Sequence, residues 1–215
     1  MRLMRAHPMW NRLRGRIALT AAALPGAPAL SVGAPPTIPT KRNSSCARLL
    51  KPAAVYRNVQ RKLDAGHTII LDGGTGTDIQ RRGAPMSGET WCADVNLTHP
   101  EIVQLVHEDY VRVGADVICA NTFASSALSF NVYGRDEELL KIDATAVAIA
   151  KKATAGTQVA VAGSISTMRP VAAGSDRTLK DVEWTEPEAR ELFRRKAENL
   201  AAAGIDLIMM EMMRD

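Results

Sequence analysis

Ile69-Ile70-Leu71-Asp72-Gly73-Gly74-Thr75-Gly76-Thr77-Asp78 is the stretch whose reading decides the fold. Three apolar residues in a row suit a short buried strand and are too few for a helix. A carboxylate follows at once, then three glycines in four positions. Glycine lacks Cβ, so the chain can turn sharply there and leave its N–H groups open to a ligand. A carboxylate at the carboxyl end of a buried strand, followed by an open turn, suits a small-molecule site in an α/β protein. The spacing is not Gly-x-Gly-x-x-Gly, and no Gly-Lys-Ser/Thr follows, which speaks against a phosphate loop.

Downstream, one pattern occurs twice. Thr98, Pro100 and Glu101 form a Thr-x-Pro-Glu start, which predicts a capping box. Ile102, Leu105, Val106, Tyr110 and Val113 form an apolar stripe, and Gly114 stops the helix. The run from Asp116 to Ala120 reads as a strand, with Asn121 and Thr122 at its end. Thr185, Pro187 and Glu188 repeat the start, Leu192, Phe193 and Leu200 the stripe, and Gly204 the stop. The strand from Asp206 to Met210 then leads to Glu211. Between the copies lie a helix over about 136–154 and a strand over 159–162 ending in Gly163 and Ser164. A short helix carrying Val55, Tyr56, Val59 and Leu63 precedes the first strand. The segment 86–97, with Trp91 and Cys92, is long for a plain connection and is expected to cover the site.

Four strands alternating with helices predict a parallel sheet. Their polar ends, Asp72, Asn121, Ser164 and Glu211, fit the carboxyl face of a (β/α)8 barrel, here its first four βα units. A half barrel leaves edges and an apolar face open, which predicts self-association.

Charge divides the chain. Residues 1–63 hold 12 Lys/Arg and no acid, leaving 15 of the 27 bases against all 23 acids. The acidic remainder is not a nucleic-acid-binding domain by charge. Residues 1–53, rich in Arg, Pro and Ala, form a separate extension, and residues 54–215 form the folded part. The extension fits an organelle presequence, a secretory signal or an upstream segment without a structural role, and each predicts disorder. Cys46 lies in it. Three cysteines, with no Cys-x-x-Cys, argue against a disulfide scaffold or a self-contained zinc module. A reducing, cytoplasmic setting is expected, or an organelle matrix if the extension is a presequence. With no run of 18 apolar residues, no membrane span is expected.

Leu71-Asp-Gly-Gly-Thr-Gly-Thr77, Gly114-Ala-Asp-Val-Ile-Cys-Ala-Asn-Thr-Phe123, Ala162-Gly-Ser-Ile-Ser166 and Asp206-Leu-Ile-Met-Met-Glu211 together resemble the homocysteine S-methyltransferase family. The resemblance covers about residues 55–215. It implies a TIM barrel, a catalytic zinc, and transfer of a methyl group to the zinc-activated thiol of homocysteine, giving methionine. By the motif match, Asp72 and the Gly73 and Gly74 backbone hold the amino-acid end of homocysteine. Glu211 binds its ammonium group, and Asn121, Thr122 and Ser164 line the pocket. The family's zinc ligands are three cysteines, one in a Gly-x-Asn-Cys after the sixth strand and a Cys-Cys pair after the eighth. The sequence contains neither motif. No catalytic residue and no metal ligand is therefore assigned, His67, His99 and His107 read as surface or packing residues, and the chain alone is expected to be inactive. Two alternatives stand beside this reading. One is a non-catalytic half-barrel that binds an amino acid or a partner; the other is an α/β enzyme that uses the glycine turn for phosphate.

Overall fold

Apolar residues alternate along the central strands, and that alternation gives the sheet two different faces. The computed structural model describes residues 54–170 and 182–213. The extension 1–53 and Cys46 lie outside the described residues. The elements are α1 (Ala54–Asp64), α2 (Thr75–Arg81), α3 (Val95–Thr98), α4 (Pro100–Arg112), β1 (Val117–Ala120), α5 (Ala127–Val132), α6 (Asp136–Ala153), β2 (Ala160–Ser166), α7 (Glu186–Ala203) and β3 (Leu207–Glu211).

The three strands run parallel in the order β1-β2-β3, with Val117 opposite Ala160 and Ala162 opposite Leu207. The expected strand at 69–71 is reduced to a single parallel bridge, Leu71 to Val117. Its place beside β1 is nevertheless fixed: Asp116 N–H donates to Ile70 O at 2.7 Å and Asp72 N–H to Val117 O at 3.0 Å. The glycine turn begins two residues later and ends the pairing. Among the described residues, this corrects the expected four full strands to three strands and this bridge.

One face of the sheet presents Ile118, Ala120, Val161 and Ile165 to Ala146, Val147 and Ala150 of α6 and Leu200 of α7. The other presents Val117, Ala160 and Ala162, with Cys119, Leu207 and Met209, and is covered at one end by Val55 and Val59 of α1. A third cluster, around Ile79, Val103, Val106, Phe130 and Ile142, joins α2, α4, α5 and α6.

The two copies of the repeated pattern do not start alike. At α7 the predicted box forms: Thr185 caps, Glu188 reaches back, and Gly204 closes the helix at φ +93°. At α4 it does not. Thr98 ends the short helix α3 instead, its hydroxyl donates to Asp94 O at 3.1 Å, and His99 takes the cap position without a side-chain bond. The α4 stripe is also turned. Val103, Val106 and His107 face inward, whereas Leu105 and Val113 are 51% and 76% exposed. Burial pulls the pKa of His107 down to about 4, so its ring packs as a neutral group.

The copies agree at their Gly-x-Asp steps. Asp116 accepts from Ile70 N–H at 3.0 Å and from Lys62 of α1 at 2.5 Å. Asp206 accepts from Val161 N–H at 2.8 Å and from Lys151 of α6 at 2.9 Å. Each aspartate ties its own strand to the one before, and to a lysine in the last turn of the helix that enters that earlier strand. β2 runs past the predicted end to Ser166, because β3 pairs with it up to Glu211. Among the described residues, no helix is long and apolar enough to cross a membrane.

Candidate functional site

The carboxyl ends of the bridge, β1, β2 and β3 bring Asp72, Cys119, Ser164 and Glu211 toward one region. Asp72 leaves the Leu71 bridge and turns its carboxylate onto β1, where Oδ2 accepts from Cys119 N–H at 2.8 Å and from Thr75 Oγ1 at 3.4 Å. Burial pushes its pKa up to about 6; the bonds from Cys119 and Thr75 pull it back, and the Glu211 charge adds to the rise. Glu211, the last residue of β3, accepts a hydrogen bond from the Ser164 hydroxyl on β2. Cys119 is half-buried on the same face, and burial, then the Asp72 and Glu211 charges, raise its thiol above the ordinary range. Such surroundings favour the neutral thiol over the thiolate.

Two carboxylates and a hydroxyl in one neighbourhood, beside an exposed backbone turn, are equipped to hold a cation. The turn itself is closely fitted. A Cβ at Gly73 would stand 2.8 Å from the Tyr110 hydroxyl, and one at Gly76 would stand 2.7 Å from Trp91 Cη2 and 3.0 Å from Cys92 Sγ. Trp91 sits at φ +47°, an uncommon conformation for a bulky residue, and meets Phe123 edge to face at 6.3 Å. The segment 86–97 thus packs against the glycine turn through Trp91 and Cys92.

Asn121 and Thr122 are placed differently from Asp72 and Glu211. They are 4% and 0% exposed. Asn121 donates to Cys92 O at 2.9 Å and Asn96 Oδ1 at 3.1 Å, and accepts from the Cys92 thiol at 3.2 Å. Burial pushes that thiol up to about 12. Thr122 Oγ1 donates to Ser164 O at 3.0 Å and accepts from Ser164 N–H at 2.9 Å.

Sequence reasoning gave no role to three features here. Cys119 has the best signal, since it shares a face with Val117 and stands two residues before Asn121 at the end of β1. Ser166 donates to Phe123 O at 2.8 Å and fastens the loop after β1. Lys196 of α7 is buried, and its ammonium donates to Asp143 Oδ1 at 2.5 Å and to Ser125 O and Oγ at 2.8 Å each. A groove of about 440 Å³ between α2 and α4, lined by Thr77, Asp78, Arg81, Asp109 and Tyr110, touches the turn at Gly74 but includes neither Asp72 nor Glu211. Among the described residues, no three of His, Cys, Asp and Glu converge where a metal ion could be held.

Residues 69–215, which include every residue of this cluster, match a family model described as homocysteine S-methyltransferase. The homocysteine S-methyltransferase of Escherichia coli is 29% identical over 159 residues, covering 69% of this chain and 51% of the relative. Homocysteine S-methyltransferase 4 of Zea mays is also 29% identical, over 69% of this chain and 48% of its own length. The selenocysteine methyltransferase of Astragalus bisulcatus is 28% identical, over 68% and 51% respectively. The crystal structure of the metallated homocysteine methyltransferase MmuM from Escherichia coli superposes with a TM-score of 0.55 at 26% identity, over 70% of this chain and 56% of that one. The chain spans about half the length of the curated relatives it matches.

Proposed function

Because this chain belongs to the homocysteine S-methyltransferase family, we propose that it supplies the amino-acid end of a homocysteine site in a methyltransferase that converts homocysteine to methionine. The observation that carries this is the placement of Asp72 and Glu211 at the carboxyl ends of parallel strands beside the glycine turn, Asp72 bonded to Cys119 N–H on β1 and Glu211 to the Ser164 hydroxyl on β2. Glu211, oriented by the Ser164 hydroxyl, takes the ammonium group in a charge-assisted contact. Asp72 adds a second negative charge, and the Gly73 and Gly74 backbone receives the substrate carboxylate. Asn121, Thr122 and Ser164 shape the surrounding wall.

The bridge and three strands are, on this reading, four consecutive strands of a TIM barrel. Ile70 and Leu71 at one margin of the sheet and Met210 at the other are 52%, 46% and 58% exposed, which supports further strands completing it. The family's zinc would bind the homocysteine sulfur. The described residues do not form a site for it, so the chemistry proposed for them is binding and orientation.

Calorimetric titration of the 215-residue chain with homocysteine tests this. Homocysteine is expected to bind, and Glu211→Gln to weaken it by about tenfold or more, the value of a hydrogen bond to a charged group. Equal affinity in the wild type and Glu211→Gln would overturn the assignment.

A further inference from the structure

Ser164 is held in an unusual way. Ser164 stands at the end of the β1–β2 ladder, whose last pair is Ala120 opposite Gly163. One side chain adds to the ladder there. The Thr122 hydroxyl accepts from Ser164 N–H at 2.9 Å and donates to Ser164 O at 3.0 Å, so a single oxygen satisfies both main-chain groups of one residue. Thr122 is fully buried, and the next acceptor near its hydroxyl, Ala120 O, stands farther away at 3.4 Å. The Ser164 side chain points on to Glu211 and donates to its carboxylate. Thr122 is itself held by the loop around it: Asn96 donates to Asn121 O at 2.9 Å, the Ser125 hydroxyl lies 3.0 Å from Thr122 O, and Ser166 donates to Phe123 O at 2.8 Å.

We propose that Thr122 is a positioning residue for Glu211, acting through the main chain of Ser164, and that it selects ligands bearing an ammonium group without touching them. The inference rests on the reading of Glu211 given above. A threonine is suited to the task because its hydroxyl can donate and accept at once, and its β-branch limits χ1. Valine keeps the shape and removes both bonds; serine keeps both bonds and removes a methyl group.

The test uses Thr122→Val, Thr122→Ser and Ser164→Ala, with Glu211→Gln as the reference. Affinities are measured for homocysteine and for 4-mercaptobutyrate, which has the same thiol and carboxylate but no ammonium group. Thr122→Val is expected to weaken homocysteine by about fivefold to tenfold, one hydrogen bond's worth, and to leave mercaptobutyrate unchanged. Thr122→Ser is expected to recover the preference, and Ser164→Ala to lose it as Thr122→Val does. Equal weakening of both ligands by Thr122→Val, or no weakening of either, would overturn the proposal, since a merely structural role predicts no selectivity.

A ligand-free measurement runs beside it. Amide hydrogen exchange at Ser164 is expected to speed up about fivefold or more in Thr122→Val, with Val161 unchanged and Ser164→Ala close to the wild type. If the wild type does not prefer homocysteine to mercaptobutyrate, the reading of Glu211 fails. Unchanged exchange at Ser164 in Thr122→Val would overturn the role of Thr122 by itself.

Discussion

Replacing Lys196 by methionine is the perturbation that tests the core of this structure most directly. The Lys196 and Asp143 side chains are 1% and 0% exposed. The ammonium donates to Asp143 Oδ1, Ser125 O and Ser125 Oγ, and the Ser125 hydroxyl donates to Asp143 Oδ1 at 2.7 Å. Asp143 Oδ2 has no partner among the described residues. Methionine fills most of the lysine volume, so packing loss is small. What remains is a buried carboxylate without its counter-charge, and breaking such a pair costs about 3–5 kcal/mol. Domains of this kind hold only about 5–15 kcal/mol in total, so the variant should unfold at much lower urea. The loss should depend on pH. Burial pushes the Asp143 pKa up, against the pull of Lys196; without Lys196 the rise is larger. A group whose folded pKa is raised contributes stability that is fully present below its unfolded pKa and is lost as pH rises through the folded value. Lys196→Met should therefore be nearest to the wild type in acid and weakest at neutral pH. Replacing both partners, Lys196→Met with Asp143→Leu, should recover most of the loss, because an apolar pair of similar volume avoids the desolvation penalty. Urea melts at pH 4.5 and pH 7.5 across the double-mutant cycle measure this. A single variant within about 1 kcal/mol of the wild type at pH 7.5, or a double variant no better than the single, would refute the reasoning.

Two further outcomes are expected. Gly76→Ala puts a Cβ 2.7 Å from Trp91 and 3.0 Å from Cys92, and such overpacking costs about 1–3 kcal/mol; a melt unchanged from the wild type would show that the indole moves aside freely. Asp72, with its pKa raised to about 6 by burial, should make homocysteine affinity climb as pH rises through that value, while its contribution to folding stability, complete below about pH 4, declines over the same range; Asp72→Asn should flatten both profiles, and an unaltered affinity profile would remove Asp72 from the site.

Much of the frame is legible in the sequence because its punctuation is chemical. Thr185, Pro187 and Glu188 start α7, Gly204 ends it in a left-handed conformation, and the structure follows each. The acids Asp136, Glu137 and Glu138 open α6, and Lys151 and Lys152 close it, as the helix dipole favours. The same syntax misleads at Thr98, since α3 occupies the residues before it and uses the threonine for its own last turn. The α4 stripe misleads because Val103 and His107 pack inward while Leu105 faces out, a choice made by neighbouring elements and not by periodicity. Lys196 is hidden in the opposite way. It sits in a run of Arg194, Arg195 and Lys196 on a charged helix, which reads as a solvated surface. Only the fold shows that Asp143, 53 positions earlier, waits for it. In the site, Asp72 and Glu211 are visible as polar residues that end apolar runs. The role of Thr122 is not, because it depends on which main-chain groups of another strand its hydroxyl meets.

The paired aspartates of the two Gly-x-Asp steps act as a gauge for strand alignment. Lys62 and Lys151 are 41% and 38% exposed at their side chains, so each ion pair contributes at most about 1 kcal/mol. The bonds from Ile70 N–H and Val161 N–H to those same carboxylates are the larger share. Together they add little to the depth of the native well and a great deal to its uniqueness. If β1 or β3 slid by one residue against its predecessor, the aspartate would swing to the other face of the sheet. It would lose the amide and the lysine in one step, with an apolar residue thrust among charges. The clamps reach back 46 and 54 positions at Asp116, and 45 and 55 at Asp206, so each ties together segments far apart in the chain. Each aspartate thus reads the alignment of its strand against the previous one, and Asp72, Ser164 and Glu211 stand on strands whose two seams carry the same clamp.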